Sequence, residues 1–406
     1  MKILHLATSL NGGAGVAARR MNIALNSIGV DSQILGRNSS SSRNSDLEIE
    51  LKLNEFQKVF SSAVTVVQST LIQKSEDLVT SLSMSTVSPD HPLVMEADIL
   101  HIHSFYNLFS WGQLKKFSEL GKPIFITLHD QRLFTGGCHY ARGCDGFLTN
   151  CKNCPQTRYL FKGLPQLIHH QQEKTLGAMS NLQLITPSSW LKSEALKSSL
   201  FQGHSVEVLH NPIPDLFCEF NNQQARKSLG VSNSEKVISF VSENLNNPYK
   251  DIQTFVCLAN SIVKTFGPES FLFLAVGKGE IQGFNEEVSW RQLRPANEVE
   301  MAETMSAIDV LVVPSTADNS PSVVGEALFA GASVVGSDTG GIPELIENKK
   351  ERIFEVGDVT RAMKVTLEAL SHHDRDANAL LAHSRFSSKI IARKLTLLYE
   401  KSLNDL

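Results

Sequence analysis

Residues 309–346 read DVLVVPSTADNSPSVVGEALFAGASVVGSDTGGIPELI. Four apolar residues, Val310–Val313, predict a buried strand, and a polar loop rich in Ser, Asn and Pro follows it. A helix is expected over about Ser322–Ala330 and a second strand over Ala332–Gly336, after which a Gly-Gly turn opens another helix. This grammar is one βαβ unit. Its loop lies at the carboxyl edge of a parallel sheet, where open α/β folds bind their ligands.

Asp318 stands in that loop and Glu326 eight residues further on, inside the helix. Between them the amides of Ser320, Ser322 and Val323 fall at or near the helix start, where unpaired N–H groups and the macrodipole favour an anion. One carboxylate could hold sugar hydroxyls, the amides a diphosphate, and the other carboxylate a ribose diol. A sugar nucleotide fits this layout. The same residues would also serve as ordinary caps and turns, with Glu326 a solvated helix residue.

The stretch resembles the acidic motif of retaining family-4 glycosyltransferases, in which two Glu separated by seven residues stand inside a phrase such as ENSPNVVLEALACGVPVVATDVGGIPEL. Here DNSPSVVGEALFAGASVVGSDTGGIPEL keeps the second as Glu326 and shortens the first to Asp318. Losing one methylene sets that carboxylate back by about 1.5 Å. The resemblance implies the α/β GT-B fold, two Rossmann-like domains with parallel sheets facing a central cleft. It also implies a donor site that includes Asp318, Asn319, Ser320, Ser322, Val323 and Glu326.

A chain of 406 residues suits two domains, each long enough to bury its own core. Its 38 basic and 42 acidic residues nearly cancel, and no Lys/Arg block marks a nucleic-acid partner. No apolar run reaches the ~18–20 residues of a bilayer span. The opening MKILHLAT runs at once into a polar glycine loop, so it reads as a first strand and not a signal peptide. The expected location is the cytoplasm, with peripheral association at the inner face of the plasma membrane compatible with the composition.

After the strand at residues 2–8, Asn11-Gly12-Gly13-Ala14-Gly15 turns into a helix expected over Val16–Ser27. Glycines let a backbone come close to a ligand, and the resemblance implies that Gly12 and Gly13 face the cleft. Arg19 and Arg20 read as surface or interdomain pairs. Asp31–Leu35 is a second strand and Asn38–Asn44 (NSSSSRN) a low-complexity loop. The stretch of about 47–95, with helical periodicity over Leu51–Lys74, reads as an insertion near the acceptor side.

Ala97–His103 (ADILHIH) is a buried strand that ends in His101 and His103, with Asn107 just beyond. His103 and Asn107 are acceptor-side candidates, although a strand histidine also serves as a satisfied core residue. Pro123–Leu128 is the next strand and ends in His129-Asp130. This resembles the family's histidine after a middle strand of the first domain, which approaches the donor sugar at the reaction centre. Asp130 is expected to fix the His129 tautomer.

Cys138, Cys144, Cys151 and Cys154 fall within seventeen residues. In a chain read as having no secretion signal, such clustering argues for metal rather than disulfides. The Cys151-Lys-Asn-Cys154 pair has the gap of a zinc knuckle, and Cys138 and Cys144 could complete a tetrahedral thiolate site; reduced or redox-labile thiols are the alternative. The phrase HDQRLFTGGCHYARGCDGFLTNCKNCP resembles a subgroup found in colanic-acid and exopolysaccharide gene sets, with the pattern HDxWxxTGxCHYxxxCxxWxxxCxxCP. Residues Gln131 to Leu133 and Phe147 depart from it where Trp is usual. A zinc there would be structural, since four cysteines leave no open coordination position. Cys218 and Cys257 read as buried hydrophobes.

Asn211-Pro-Ile-Pro-Asp215 is a joint that neither helix nor strand would continue through. Domains are therefore expected over 1–210 and 211–380, with 381–406 a terminal helix that the family fold returns to the first domain. Lys236–Val241 and Phe271–Val276 open the second sheet. The family clamps the donor diphosphate there with Gly-Arg and a later Lys. Lys250 matches the lysine, whereas Glu243 stands about where the arginine would be, leaving Lys278 as a substitute.

The resemblance thus implies a retaining glycosyltransferase that transfers from a nucleotide-diphosphate sugar to a glycan or lipid-linked glycan acceptor of a cell-surface or exopolysaccharide. His129 and Asp318 are its catalytic candidates, and it would use no cofactor for catalysis. The alternatives are a sugar-nucleotide or glycan-binding protein that has lost turnover, motivated by Asp318 and the missing arginine, and a sugar-nucleotide epimerase of the same fold.

Overall fold

The computed structural model describes residues 1–37, 47–74, 86–106, 108–201 and 203–405. The Asn38–Asn44 loop and the acceptor-side candidate Asn107 lie outside them. The chain forms two units, Met1–His210 with Ile391–Leu406, and Asn211–Ile390.

The first unit is a parallel sheet of β1 (Lys2–Ser9), β2 (Asp31–Arg37), β3 (Glu48–Glu50), β4 (Ile99–Ser104), β5 (Ile124–Thr127), β6 (Leu182–Thr186) and β7 (Val206–Val208), in the order β3-β2-β1-β4-β5-β6-β7. The second holds β8 (Lys236–Asn244), β9 (Phe271–Lys278), β10 (Trp290–Leu293), β11 (Val310–Val313), β12 (Ser333–Ser337) and β13 (Ile353–Phe354), in the order β10-β9-β8-β11-β12-β13, again parallel. Central strands such as IFIT and VLVV are buried along their whole length, as parallel strands covered on both faces must be. Each sheet reverses its strand order once, between β1 and β4 and between β8 and β11. Those two switch points leave crevices at the carboxyl ends of the strands, the places where such sheets take ligands.

Helices supply the covering apolar faces. Ile252–Phe266 buries Phe255, Leu258, Ala259 and Ile262, a helical spacing, in one cluster with Ile238, Phe273 and Val310 of the sheet. The terminal helix Ser388–Asn404 buries Ile391, Ala392, Leu395 and Tyr399 among Ile3, Met21, Leu25, Ile99 and Phe125 of the first unit.

Several boundaries differ from the sequence expectation. The first helix runs Gly12–Ser27, so the glycines form its opening turn and not a loop before it. Gly12 has φ +74°, but the glycine that packing demands is Gly15, where an added Cβ would lie 2.4 Å from the Ser9 carbonyl oxygen. The periodicity over 51–74 resolves into a helix, Glu55–Val67, followed by a π-turn, Gln68–Ile72. Arg19 pairs with Glu48 within the first unit, and Arg20 is buried. Cys218 is exposed and Cys257 half-buried, so neither is the core hydrophobe expected; both lie on sides of their helical turns that the core does not cover.

Candidate active site

In the second unit the switch point brings two of the expected residues together. Lys250, reached from β8 through Leu245–Tyr249, donates from Nζ to Asp318 Oδ2 at 2.5 Å. Asp318 is buried, and its carboxylate also accepts from Ser315 Oγ at 3.5 Å. The loops that carry the pair are tied to each other: Thr316 N donates to the Tyr249 carbonyl at 2.8 Å, and Ser337 Oγ to the Ser315 carbonyl at 2.6 Å. Behind them Gly340 adopts φ +58° and packs so closely that an added Cβ would lie 1.7 Å from the Asp318 carbonyl oxygen. This glycine of the Gly-Gly turn therefore sets where Asp318 stands.

The helix after the loop runs Ser322–Phe329 with Pro321 at its cap, and no side chain caps it. Ser322 and Val323 open the helix, where the first N–H groups have no intrahelical acceptor. Asn211 Nδ2 reaches the Ser320 carbonyl at 3.4 Å. Asn319 is buried. Glu326 is only 6% exposed, so the solvated-residue reading of it does not hold.

No arginine occupies the end of β8, and Glu243 there is exposed. The loops after β8 and β9 lock together instead: Asn246 Nδ2 donates to the Glu280 carbonyl at 3.0 Å, and Glu280 N to Asn246 Oδ1 at 3.1 Å. Lys278 is exposed at the end of β9.

In the first unit the switch point carries a file of histidines. His5 on β1 and His101 on β4 are register partners, and His103 lies two residues further along the same face. His5 Nδ1 and His103 Nε2 are 2.8 Å apart, and His103 Nδ1 and His129 Nε2 are 3.2 Å apart. His101 is bonded on both nitrogens, to the Tyr399 hydroxyl at 2.5 Å and to Thr127 Oγ1 at 2.7 Å. Burial lowers every one of them: His5 to about 3, His129 to about 4, and His101 and His103 well below the ordinary value. For His129 the neighbouring Asp130 pulls upward against burial, while Arg132 adds to the lowering. All four imidazoles are therefore neutral at pH 7, and the protein holds them as hydrogen-bonding groups rather than as charges.

Asp130 does not act as expected. It directs Oδ1 at the Arg132 amide (2.8 Å) and Oδ2 at the Arg132 guanidinium (2.5 Å), with His139 Nε2 at 3.6 Å. A cation two residues away outcompetes a neutral imidazole for a carboxylate. Burial pushes the Asp130 carboxyl up, but Arg132 and His139 outweigh it and hold it at about 2. His103 supplies a bond that positions His129. His5, Thr127 and Tyr399 were not singled out in the sequence; for His5 the usable signal is its alternation in step with the two histidines of ILHIHS.

Beyond His129, the four cysteines are free thiols lining one cavity with Gly136, Gly146, Phe147, Gln156 and Pro165. Gln131, one of the departures from the cysteine pattern, accepts the Ala141 amide at 2.5 Å, and Phe147, another, packs edge-on against Phe134. Burial pushes Cys138 and Cys151 up to about 12, so as free thiols they are not nucleophiles.

Comparison with known proteins adds to this geometry. Residues 235–372 match the family model described as glycosyl transferases group 1. The Escherichia coli (strain K12) protein named as a colanic acid biosynthesis glycosyl transferase, WcaC, is 25% identical over 297 residues, 68% of this chain and 67% of that one. Among solved structures, sucrose-phosphate synthase from Thermosynechococcus elongatus superposes with a TM-score of 0.67 at 13% identity, covering all of both chains. Alr3699/HepE from Anabaena, in complex with UDP-glucose, does so with a TM-score of 0.60 at 14% identity, also over all of both chains. The second unit matches the glycosyl transferases group 1 domain, the two parallel-sheet units have the GT-B architecture, and the protein is a glycosyltransferase.

Proposed function

We propose that the enzyme is a retaining glycosyltransferase that moves a sugar from a nucleotide-diphosphate sugar to a growing cell-surface or exopolysaccharide acceptor. The observation that carries this reading is the Lys250–Asp318 pair at the switch point of the second sheet, beside the amino end of Ser322–Phe329. An ammonium has three donors and Asp318 takes one, which leaves two for diphosphate oxygens. Asp318 then orients Lys250, and Glu326, buried one turn into the following helix, takes the ribose diol. Lys278 supplies the second cation that the family pattern draws from arginine. The UDP-glucose bound by the Anabaena protein supports the donor class, and the name of the E. coli relative supports the acceptor class.

Retention follows if the leaving phosphate removes the acceptor proton on the face it departs from. The protein then positions groups and stabilises charge, and catalysis draws on no metal. His129, neutral at pH 7, suits a hydrogen bond to a sugar hydroxyl.

No helix among the described residues is long and apolar enough to cross a membrane. The helix Glu55–Val67 nevertheless exposes Phe56, Val59 and Phe60, and the Gln73–Thr157 bridge joins the segment after it to the turn that exposes Tyr159 and Leu160. Such a surface fits an acceptor carried on lipid, by peripheral contact.

The test is thermal stabilisation by UDP, GDP, ADP and their sugars, repeated with Glu326→Ala. Ligand at a hundred times its dissociation constant adds about 2.7 kcal/mol. A shift with one base that the variant loses identifies the donor site; no shift with any of them removes the donor reading.

A further inference from the structure

We propose that Cys138, Cys144, Cys151 and Cys154 bind one zinc ion as a structural site that braces the segment following His129. This goes beyond the donor reading and does not depend on it. Three observations carry it.

The four sulfurs, brought from a span of seventeen residues, line a single cavity, and none is in a disulfide. Two of them receive backbone N–H groups, Cys151 from Gly136 at 3.0 Å and Cys144 from Gly146 at 3.4 Å. Amides aimed at sulfur stabilise the negative charge of a metal-bound thiolate, and such outer bonds orient the ligands. The backbone is also held where non-glycine residues rarely go, at Cys151 (φ +54°) and Asn153 (φ +58°), with Arg142 (φ +51°) before them. Left-handed residues at and inside the Cys151–Cys154 turn fold it back on itself, so that both of its sulfurs reach the cavity that Cys138 and Cys144 line.

The segment also has little regular secondary structure of its own. Between β5 and the helix Leu164–Leu176, the described residues contain only two 3₁₀ turns, Gly146–Leu148 and Tyr159–Phe161. It is held by side-chain bonds such as Gln156 Nε2 to the Tyr140 carbonyl at 2.9 Å, and a cross-link would fix it outright.

A competing cluster exists. Among the described residues, His5, His101 and His103 are the group with three ligating atoms within 4.8 Å of one another. The sulfurs therefore stand wider than a closed tetrahedral site holds them, and binding draws them in. The histidine group is nonetheless the poorer ligand set, because His101 is bonded on both nitrogens and His5 and His103 bond each other. Binding through sulfur converts the thiols to thiolates and releases their protons to solvent, and four such ligands leave no position for substrate.

The experiment measures metal in the full-length protein and uses cobalt as a probe. Zinc at one per chain is expected in the wild type and in Cys218→Ser, and a loss of at least about tenfold in affinity in Cys144→Ser and Cys154→Ser. Because those variants could fail to fold, the wild type is also stripped with a chelator and reloaded with Co²⁺. Sulfur-to-cobalt charge-transfer absorption with tetrahedral d–d bands is expected, along with four thiols protected from a thiol reagent. Four thiols that stay reactive in the presence of zinc, or a cobalt spectrum without sulfur ligation, would overturn the site.

Discussion

His103 Nδ1 lies 3.2 Å from His129 Nε2, and His103 in turn meets His5 through its other nitrogen at 2.8 Å. A neutral imidazole bonded on both nitrogens must donate through one and accept through the other. The tautomer of His129 is therefore tied to that of His103, and through it to His5.

Replacing His103 with Phe is expected to lower kcat by about tenfold while donor KM changes less than about threefold, because the imidazole is mispositioned and the donor contacts are untouched. His129→Ala is expected to cost more, on the order of 100-fold in kcat. Steady-state kinetics with melting curves separate this from misfolding. Equal losses in kcat and in folded fraction would leave His103 a purely structural residue.

Stability should fall on the acid side in two windows. Buried His5 and half-buried His129 and His373 are depressed to about 3, about 4 and about 4, so the unfolded chain takes up protons below its ordinary value of 6.5 while the folded chain does not. Their stabilisation is complete above about pH 6.5 and declines as pH falls toward 4. Asp130, held at about 2, adds a loss only between about 3.8 and 2. Urea midpoints measured from pH 7.5 to 4 check the first window, and a flat profile there would contradict neutral burial of the histidines.

Lys250→Ala is expected to weaken nucleotide binding by roughly 10- to 150-fold, the equivalent of about 1.5–3 kcal/mol for a charged hydrogen bond. Asp318→Asn leaves the ammonium in place but loosens it, so a smaller effect is expected. If the two act through one contact, the double variant should bind about as poorly as Lys250→Ala alone. Calorimetric titration with the nucleotide that stabilises the wild type reads all three.

Gly340→Ala should damage the donor side without touching the first sheet. An alanine there must adopt φ +58° and push against the Asp318 carbonyl, so a loss of about 1–3 kcal/mol in stability and a raised donor KM are expected. Gly163→Ala is the contrast, since an added Cβ there meets nothing within 4 Å. Parallel melting curves and donor titrations of the two variants decide it.

The sequence made the βαβ unit of the second sheet legible, because an apolar quartet, a polar loop and a Gly-Gly turn are local signals. Val310–Val313 is the predicted strand, and the helix begins at the predicted Ser322. What pairs with what was not legible. Lys250 and Asp318 are 68 residues apart, and His5 and His103 are 98 apart. Only strand order brings those partners together. Asp130 was misread for a local reason, since an arginine two residues away was the stronger partner for its carboxylate. The first helix begins earlier than expected because glycines at a helix start cost little once Gly15 is packed against Ser9.

Tyr399, whose hydroxyl meets His101 at the centre of the first sheet, belongs to the last helix of the chain. On the ribosome, Ile3, Ile99 and Phe125 emerge long before the residues that bury them. At about 5–20 residues per second, the interval between completing β7 and releasing Tyr399 is on the order of 10–40 s. Throughout that interval the earliest-made sheet stays unfinished on one face, and before its end the later-made unit has every strand it needs. The half synthesised first is thus the half that matures last, and a nascent chain stalled before Ile391 would present an apolar sheet face to chaperones instead of a nearly finished enzyme.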